Sequence, residues 1–237
     1  LIHNQQQKAE QKEMFATIAE KVDAAESELG DLEQIGNAED KRVAQLLEVY
    51  RELHSYNSDF VGWIRVPGTE INYPVMQSPD ESNFYLRRNF EKEYSNLGTP
   101  YLQENCDIRT CDNLIIYGHH MLDGGMFSDL ELYKQKAFWE NHKYVRFDTL
   151  DELGLYEIMA VVITTAYQAD SFQYYNYIEN NELTFNTYVQ ECKQRALYDT
   201  GIDAEYGDKL VTLSTCEYSN DNGRLIVVAK KIGGIKK

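Results

Sequence analysis

The sequence predicts a mainly β protein, a closed or nearly closed barrel preceded by a helical region. Three observations carry this reading. From residue 60 onward, runs rich in β-branched and aromatic residues alternate with Gly, Pro and Asn turn signals. Strand–helix–strand alternation of the kind that builds parallel sheets is scarce. The first 56 residues have helical spacing and strong negative charge instead. The chain therefore divides into an acidic helical region, residues 1–56, and a β domain, residues 57–237.

In the helical region Phe15, Ile18, Val22, Ala25, Leu29 and Leu32 recur at three- and four-residue steps, an apolar stripe on a charged helix. Gly36-Asn37 breaks it, and a second helical pattern runs through Val43, Leu46, Leu47, Tyr50 and Leu53. Residues 1–60 carry thirteen acids against six bases, so the outer faces are solvated. A helical hairpin packed on the β domain is the expectation; a stalk or partner-binding coiled coil is the alternative. The strands then follow. Phe60–Val66 and Ile71–Met76 flank the turn signal Pro67-Gly68-Thr69. Further strands are expected at Asn113–Tyr117, Lys143–Thr149, Leu155–Thr165, Lys209–Leu213 and Arg224–Lys231, with helical patches at Met126–Trp139 and Thr184–Leu197. The Tyr-rich stretch Phe172–Tyr177 reads as an aromatic cluster supporting a loop, with a substrate-facing wall as the alternative.

Composition narrows the function classes. A chain of 237 residues, 43% hydrophobic, can bury one sizeable core plus an appendage. A net charge of −16 argues against nucleic acid as a partner, since phosphate binding needs a basic stripe. No run approaches the roughly 18 apolar residues of a membrane span. The chain begins Leu1-Ile2-His3, which reads as a fragment or processed form. Four cysteines are too few for a disulfide scaffold and lack the paired spacing of a zinc site, so neither metal nor cofactor is expected. Cys106 and Cys111 flank a short polar stretch, a spacing that permits a local disulfide. Cys192 lies in the helical pattern Tyr188, Val189, Cys192, Ala196 and reads as a small core residue.

Cys216 differs. Thr212-Leu213-Ser214-Thr215-Cys216 places it at a strand end, a rigid position for a nucleophile, with Glu217 following. Eight positions on, Arg224 opens the next strand. A hairpin through Tyr218–Gly223 would bring guanidinium and thiol to one end of the sheet, where Arg can favour the thiolate and donate to a developing oxyanion. A second strand, Asn113–Tyr117, ends in Gly118-His119-His120. Glycine there would let the chain turn sharply and aim the next imidazole into a cleft, before the loop Asp123-Gly124-Gly125. Cys and His at two strand ends are the pairing nucleophilic catalysis requires.

Together these residues resemble class B sortases. The resemblance rests on the TLSTC run, on Arg224 in Gly-Arg-Leu-Ile-Val-Val, and on Tyr-Gly-His-His-Met followed by Gly-Met-Phe. Asn57–Ile64, Thr69–Gln77 and Asn83–Leu86 extend it in consistent order, so that it covers about residues 50–232. It implies an eight-stranded barrel with N-terminal helices and an extra helix before the Cys-bearing strand, which the Thr184–Leu197 pattern fits. It also implies a Gram-positive enzyme on the outer face of the membrane, held by an N-terminal anchor absent from this chain. Such enzymes cleave a C-terminal sorting signal of surface proteins after Thr, form a thioester, and pass the acyl group to an amine. The family's catalytic His follows the Gly, which maps to His119, with His120 as a neighbour.

The expected mechanism is acyl transfer: Cys216 attacks, Arg224 and nearby backbone N–H groups hold the oxyanion, and His119 moves the proton. Thr215 and Ser214 are candidates for contact with substrate or oxyanion, with strand packing as the other reading of each. Glu217 reads as an exposed carboxylate beside a loop. An L,D-transpeptidase would place Gly before the Cys and Arg two positions after it, unlike Thr215 and Arg224 here. A non-catalytic assembly module would lack one of the three groups. The acceptor is expected to be a peptidoglycan cross-bridge amine, with a pilin lysine as the alternative.

Overall fold

The computed structural model describes residues 2–27, 40–78, 80–166, 168, 171–219 and 221–236. Two helices, α1 (Ile2–Ser27) and α2 (Asp40–Tyr56), precede eight strands: β1 (Phe60–Arg65), β2 (Asn72–Met76), β3 (Tyr101–Leu102), β4 (Asn113–Tyr117), β5 (Tyr144–Thr149), β6 (Glu152–Thr165), β7 (Leu210–Cys216) and β8 (Gly223–Lys236). They close into a barrel in the order β1-β2-β3-β4-β7-β8-β6-β5. β4 and β7 run parallel and β7–β8 antiparallel, which sets the candidate site. The β1–β2 turn is built as its residues require: Gly68 has φ +82°, and Thr69 Oγ1 donates to Val66 O at 2.7 Å.

Strand alternation divides the barrel's two faces. Ile64, Val75, Leu102, Ile116, Phe147, Val161, Leu213 and Val227 come from all eight strands and share one buried core, the barrel interior. Intervening residues such as Ile115, Val162, Leu210, Ile226 and Val228 face outward into a second core. There they meet α4 (Glu182–Arg195), whose buried Phe185, Tyr188, Val189 and Cys192 recur at helical spacing. A capping box between Asn181 and Thr184 starts that helix. Cys192 is fully buried, as its pattern predicts. Of the Tyr-rich stretch, Phe172 and Tyr174 are buried in this same outer core.

On another side, α1 and α2 share a third core with Phe60, Trp63, Met76 and Tyr85, through Phe15, Val22, Val43, Leu46, Leu47 and Tyr50. The helices thus pack on the barrel; the expected stripe positions Leu29 and Leu32 and the break at Gly36-Asn37 lie outside the described residues. Beneath α1, Glu26 pairs with Arg65 and Arg146, and Arg146 also holds Asp148 at 2.6 Å. Tyr50 donates to Asp148 at 2.8 Å.

Three local expectations change. The Met126–Trp139 patch is a 3-10 run, Ser128–Lys134, followed by the short α3 (Lys136–Asn141). β3 was not anticipated. β6 and β8 are each 14 residues long and extend beyond their predicted bounds. Among the described residues, no helix is long and apolar enough to cross a membrane.

Candidate active site

Register brings the predicted groups together. Cys216, the last residue of β7, stands directly opposite Arg224 on β8, and directly opposed residues share a face. Since Leu210, Ile226 and Val228 face outward, the alternation puts Cys216 and Arg224 on the outer face as well. On the other flank Tyr117 pairs with Ser214, and Gly118 N donates to Ser214 O at 3.0 Å. Two residues beyond Tyr117, His119 follows at the same end of the sheet. Gly118 is needed for a different reason from the expected turn: a Cβ there would lie 2.5 Å from the Phe127 ring. The glycine lets Phe127 close under the histidine segment, and Phe127 N donates to His119 O at 2.9 Å.

The two histidines part ways. His119 Nε2 meets Leu86 O at 2.7 Å; a carbonyl only accepts, so the proton sits on Nε2. Burial lowers the His119 pKa below the usual histidine range; the Leu86 carbonyl opposes this and Arg87 adds to it. His120 Nδ1 donates to the carbonyl of Cys216 itself at 2.9 Å. Its ring packs on Tyr218, with centroids 4.8 Å apart, and Tyr218 Oη donates to His120 O at 2.7 Å. The tyrosine's own pKa is raised, chiefly by burial, then by Cys216, with Arg224 opposing. Tyr218 therefore sits within electrostatic reach of both groups.

The remaining predicted residues are engaged locally. Arg224 Nη1 donates to Gly223 O at 2.9 Å. Thr215 Oγ1 donates to Gly118 O at 2.8 Å, tying β7 to the chain just before His119. Ser214 is buried and shares a 2.6 Å hydrogen bond with Tyr174 Oη. Glu217 is not the exposed carboxylate expected from its neighbours: it is 4% exposed and accepts from Lys134 at 2.7 Å and from Ser219. Burial alone would raise its pKa, but the bonds from Lys134 and Ser219 outweigh it and hold the carboxyl low. Lys134 also pairs with Glu131 at 2.7 Å, within a buttress beneath the Cys216 turn that sequence reasoning missed. The one readable signal was the acid–base spacing Glu131–Lys134 on a helical patch. Leu86, Leu122 and Tyr218 present exposed apolar surface near these groups. Among the described residues, no cluster of His, Cys, Asp and Glu could hold a metal.

A Cys, a His and an Arg at one end of three adjacent strands are the parts of a cysteine acyl-transfer site. A model of the sortase domain matches residues 64–232. The chain belongs to the sortase family. Sortase B of Staphylococcus aureus is 33% identical over 189 residues, 77% of this chain and 74% of that protein. Sortase B of Listeria monocytogenes is 35% identical over 186 residues, 77% and 73% of the two chains. The structure of the Staphylococcus aureus sortase B–substrate complex matches with a TM-score of 0.80 at 27% identity, covering 98% of this chain and 99% of that one. A second, of sortase B complexed with triglycine, matches with the same TM-score and identity over 97% and 99%. This sortase is accordingly a cysteine transpeptidase of class B, on the eight-stranded barrel the resemblance implied.

Proposed function

We propose that this sortase cleaves the C-terminal sorting signal of surface proteins after Thr and transfers the acyl group to a peptidoglycan cross-bridge amine, at the outer face of the cell membrane. The observation that carries the reading is the Cys216–Arg224 register, with His119 two residues past the end of the parallel neighbour strand. In the first step Cys216 Sγ attacks the threonine carbonyl and Arg224 donates to the oxyanion, released from its resting bond to Gly223 O. The Cys216 thiol proton passes to His119, whose imidazolium protonates the leaving amine as the C–N bond breaks, and a thioester remains. In the second step the acceptor amine attacks the thioester, His119 recovers a proton, and the Cys216 thiolate leaves. Leu86 O holds His119 Nε2–H between turnovers. Thr215 acts here as a tie on Gly118 and Ser214 as a packing partner of Tyr174, rather than as substrate contacts. The acidic helical region, residues 1–56, serves as a support for the barrel domain, residues 57–237.

The substrate and triglycine complexes of the related sortase B support a peptide donor and an amine acceptor. The test is incubation with a quenched sorting peptide and triglycine, followed by mass spectrometry of protein and product. The expected results are an acyl adduct on Cys216, a peptide joined to triglycine through its Thr, and neither in Cys216→Ala. Cleavage by Cys216→Ala within tenfold of wild type, or an adduct on another cysteine, overturns the reading.

A further inference from the structure

The β3–β4 loop holds two cysteines that the transpeptidase site does not use. Cys106 and Cys111 are both buried and belong to the barrel core. Between them the chain makes one helical turn: Thr110 N and Cys111 N both donate to Asp107 O, at 3.2 and 2.9 Å, which folds Cys111 back towards Cys106. Asp107 N donates to Cys111 Sγ at 3.1 Å, and Cys106 Sγ faces Asn113 O at 3.7 Å. The two free thiols interact side chain to side chain. A disulfide needs two Cβ groups within a few ångströms, and the turn already sets the Cys111 sulfur against the backbone N–H that follows Cys106.

We propose that Cys106 and Cys111 form a redox modification site, a disulfide that staples the β3–β4 loop. The surroundings say when the bond forms. Burial, partly offset by a backbone hydrogen bond, pushes the Cys106 thiol up to about 12, and burial raises Cys111 as well. Thiolate is therefore scarce in the folded chain, and the bond forms during folding or loop opening. The oxidant is a small disulfide. Its S–S bond breaks, one S–S bond forms between Cys106 and Cys111, two electrons pass to the reagent, and the two thiol protons leave on the released thiols.

The location says what the staple does. Lys209 Nζ donates to Thr110 O, Cys111 O and Asp112 Oδ1 at 3.1, 3.2 and 3.0 Å, and Gln77 Nε2 donates to Cys106 O at 2.6 Å. Leu210 N, opening β7, donates to Asp112 O at 2.7 Å. The loop thus anchors the starts of β4 and β7, whereas His119 and Cys216 lie at their far ends. The bond stiffens the base of the catalytic strand pair without touching the reacting groups. It stands on thiol geometry alone, independent of substrate and acceptor.

The test refolds the chain from denaturant with reduced and oxidised glutathione, then counts thiols and maps peptides. Cys216→Ala removes the reactive thiol from the count. In that variant, three thiols should fall to one, with Cys106 linked to Cys111 and Cys192 free. Wild type refolded in the same buffer should melt about 4–8 °C higher than its dithiothreitol-treated form, the shift expected for closing a short loop in a domain of this size. Cys106→Ser should abolish the difference. An unchanged thiol count, a glutathione adduct in place of the internal bond, a link involving Cys192, or equal melting in both redox states overturns the proposal. Should Cys106→Ser fail to fold, the count and peptide map in the Cys216→Ala chain still decide it.

Discussion

Two adjacent imidazoles are given opposite tasks by what their ring nitrogens meet. His119 keeps a proton on Nε2 against a backbone carbonyl, while His120 holds the carbonyl of Cys216 and packs on Tyr218. His119→Ala should therefore lose about 10²–10⁴ in kcat, because in the proposed mechanism protonation of the leaving amine and activation of the acceptor both pass through it. His120→Ala should lose on the order of tenfold, since one hydrogen bond of positioning is worth about 1–1.5 kcal/mol. Steady-state rates on a quenched peptide check both, and reversed magnitudes would exchange the two roles. Arg224 offers a sharper test. If it forks onto the oxyanion, an ammonium cannot replace it, and Arg224→Lys should lose nearly the roughly 10²–10³ in kcat expected for Arg224→Ala, with KM little changed. A Lys variant with near-normal kcat would reduce the role to charge alone.

The same side chains predict how stability responds to acid. His119 has a lowered pKa when folded, so unfolding takes up a proton. Its contribution is full above the unfolded value of about 6.5 and is lost as pH falls through the folded one. Glu217, also lowered, contributes fully above about 4.3 and loses that contribution as pH falls through its folded pKa. Calorimetric melts should show a flat Tm between about pH 7 and 8 and two descending limbs on the acid side. Glu217→Gln should shrink the lower limb, to which Asp123 and Asp203, lowered by Lys8 and Lys193, also contribute, and His119→Gln should remove the upper. A Tm that rises on acidification through pH 6 would contradict the His119 environment described above.

At the scale of elements, Asp148 on β5 shows how α2 and the barrel are coupled. It is 1% exposed and receives Arg146, the Tyr50 hydroxyl and Gly154 N. Asp148→Ala takes the acceptor from a buried phenol and from Gly154 N and leaves Arg146 with Glu26 alone, and should cost about 3–5 kcal/mol in urea unfolding; a loss under 1 kcal/mol would mean water repairs the site. None of this cluster was legible, because its partners lie in α1, α2, β1 and β5 and carry no common spacing. What was legible is local. The strands bearing His119, Cys216 and Arg224 show apolar alternation and end at turn residues, so their existence and their chemistry read together. β3 has two residues, too few to display a period. The 3-10 run Ser128–Lys134 keeps enough helical spacing to pass for α-helix. Glu217 looks exposed beside Tyr218 and Ser219; only Lys134, 83 positions away, makes it a buried partner.

At the scale of the whole molecule, α1 spans from the ion cluster to the catalytic end. Glu26 is bound to Arg65 and Arg146, Phe15 packs edge-on against Tyr73 at 5.7 Å, and Lys8 pairs with Asp123 at 3.1 Å in the loop after His120. Between them Gln11, 2% exposed, donates to Gly98 O at 2.7 Å and accepts from Ser95. Gly98 lies against Leu86, whose carbonyl receives His119: a Cβ on Gly98 would meet Leu86 O at 2.6 Å. A chain of contacts therefore leads from α1 through the 95–98 segment to the His119 imidazole. Gln11→Ala would take a donor from the Gly98 carbonyl and an acceptor from the Ser95 hydroxyl, a loss of about 1–3 kcal/mol. Were α1 only a cover, Tm would fall while kcat at 25 °C and the His119 titration stayed as in wild type. If the contacts position Leu86, kcat should fall several-fold and the His119 pKa, read by NMR, should move as the Leu86 hydrogen bond loosens. Since that bond raises the pKa and burial lowers it, loosening without solvent entry moves it further down. An unaltered titration beside a lowered Tm would confine α1 to support of the barrel.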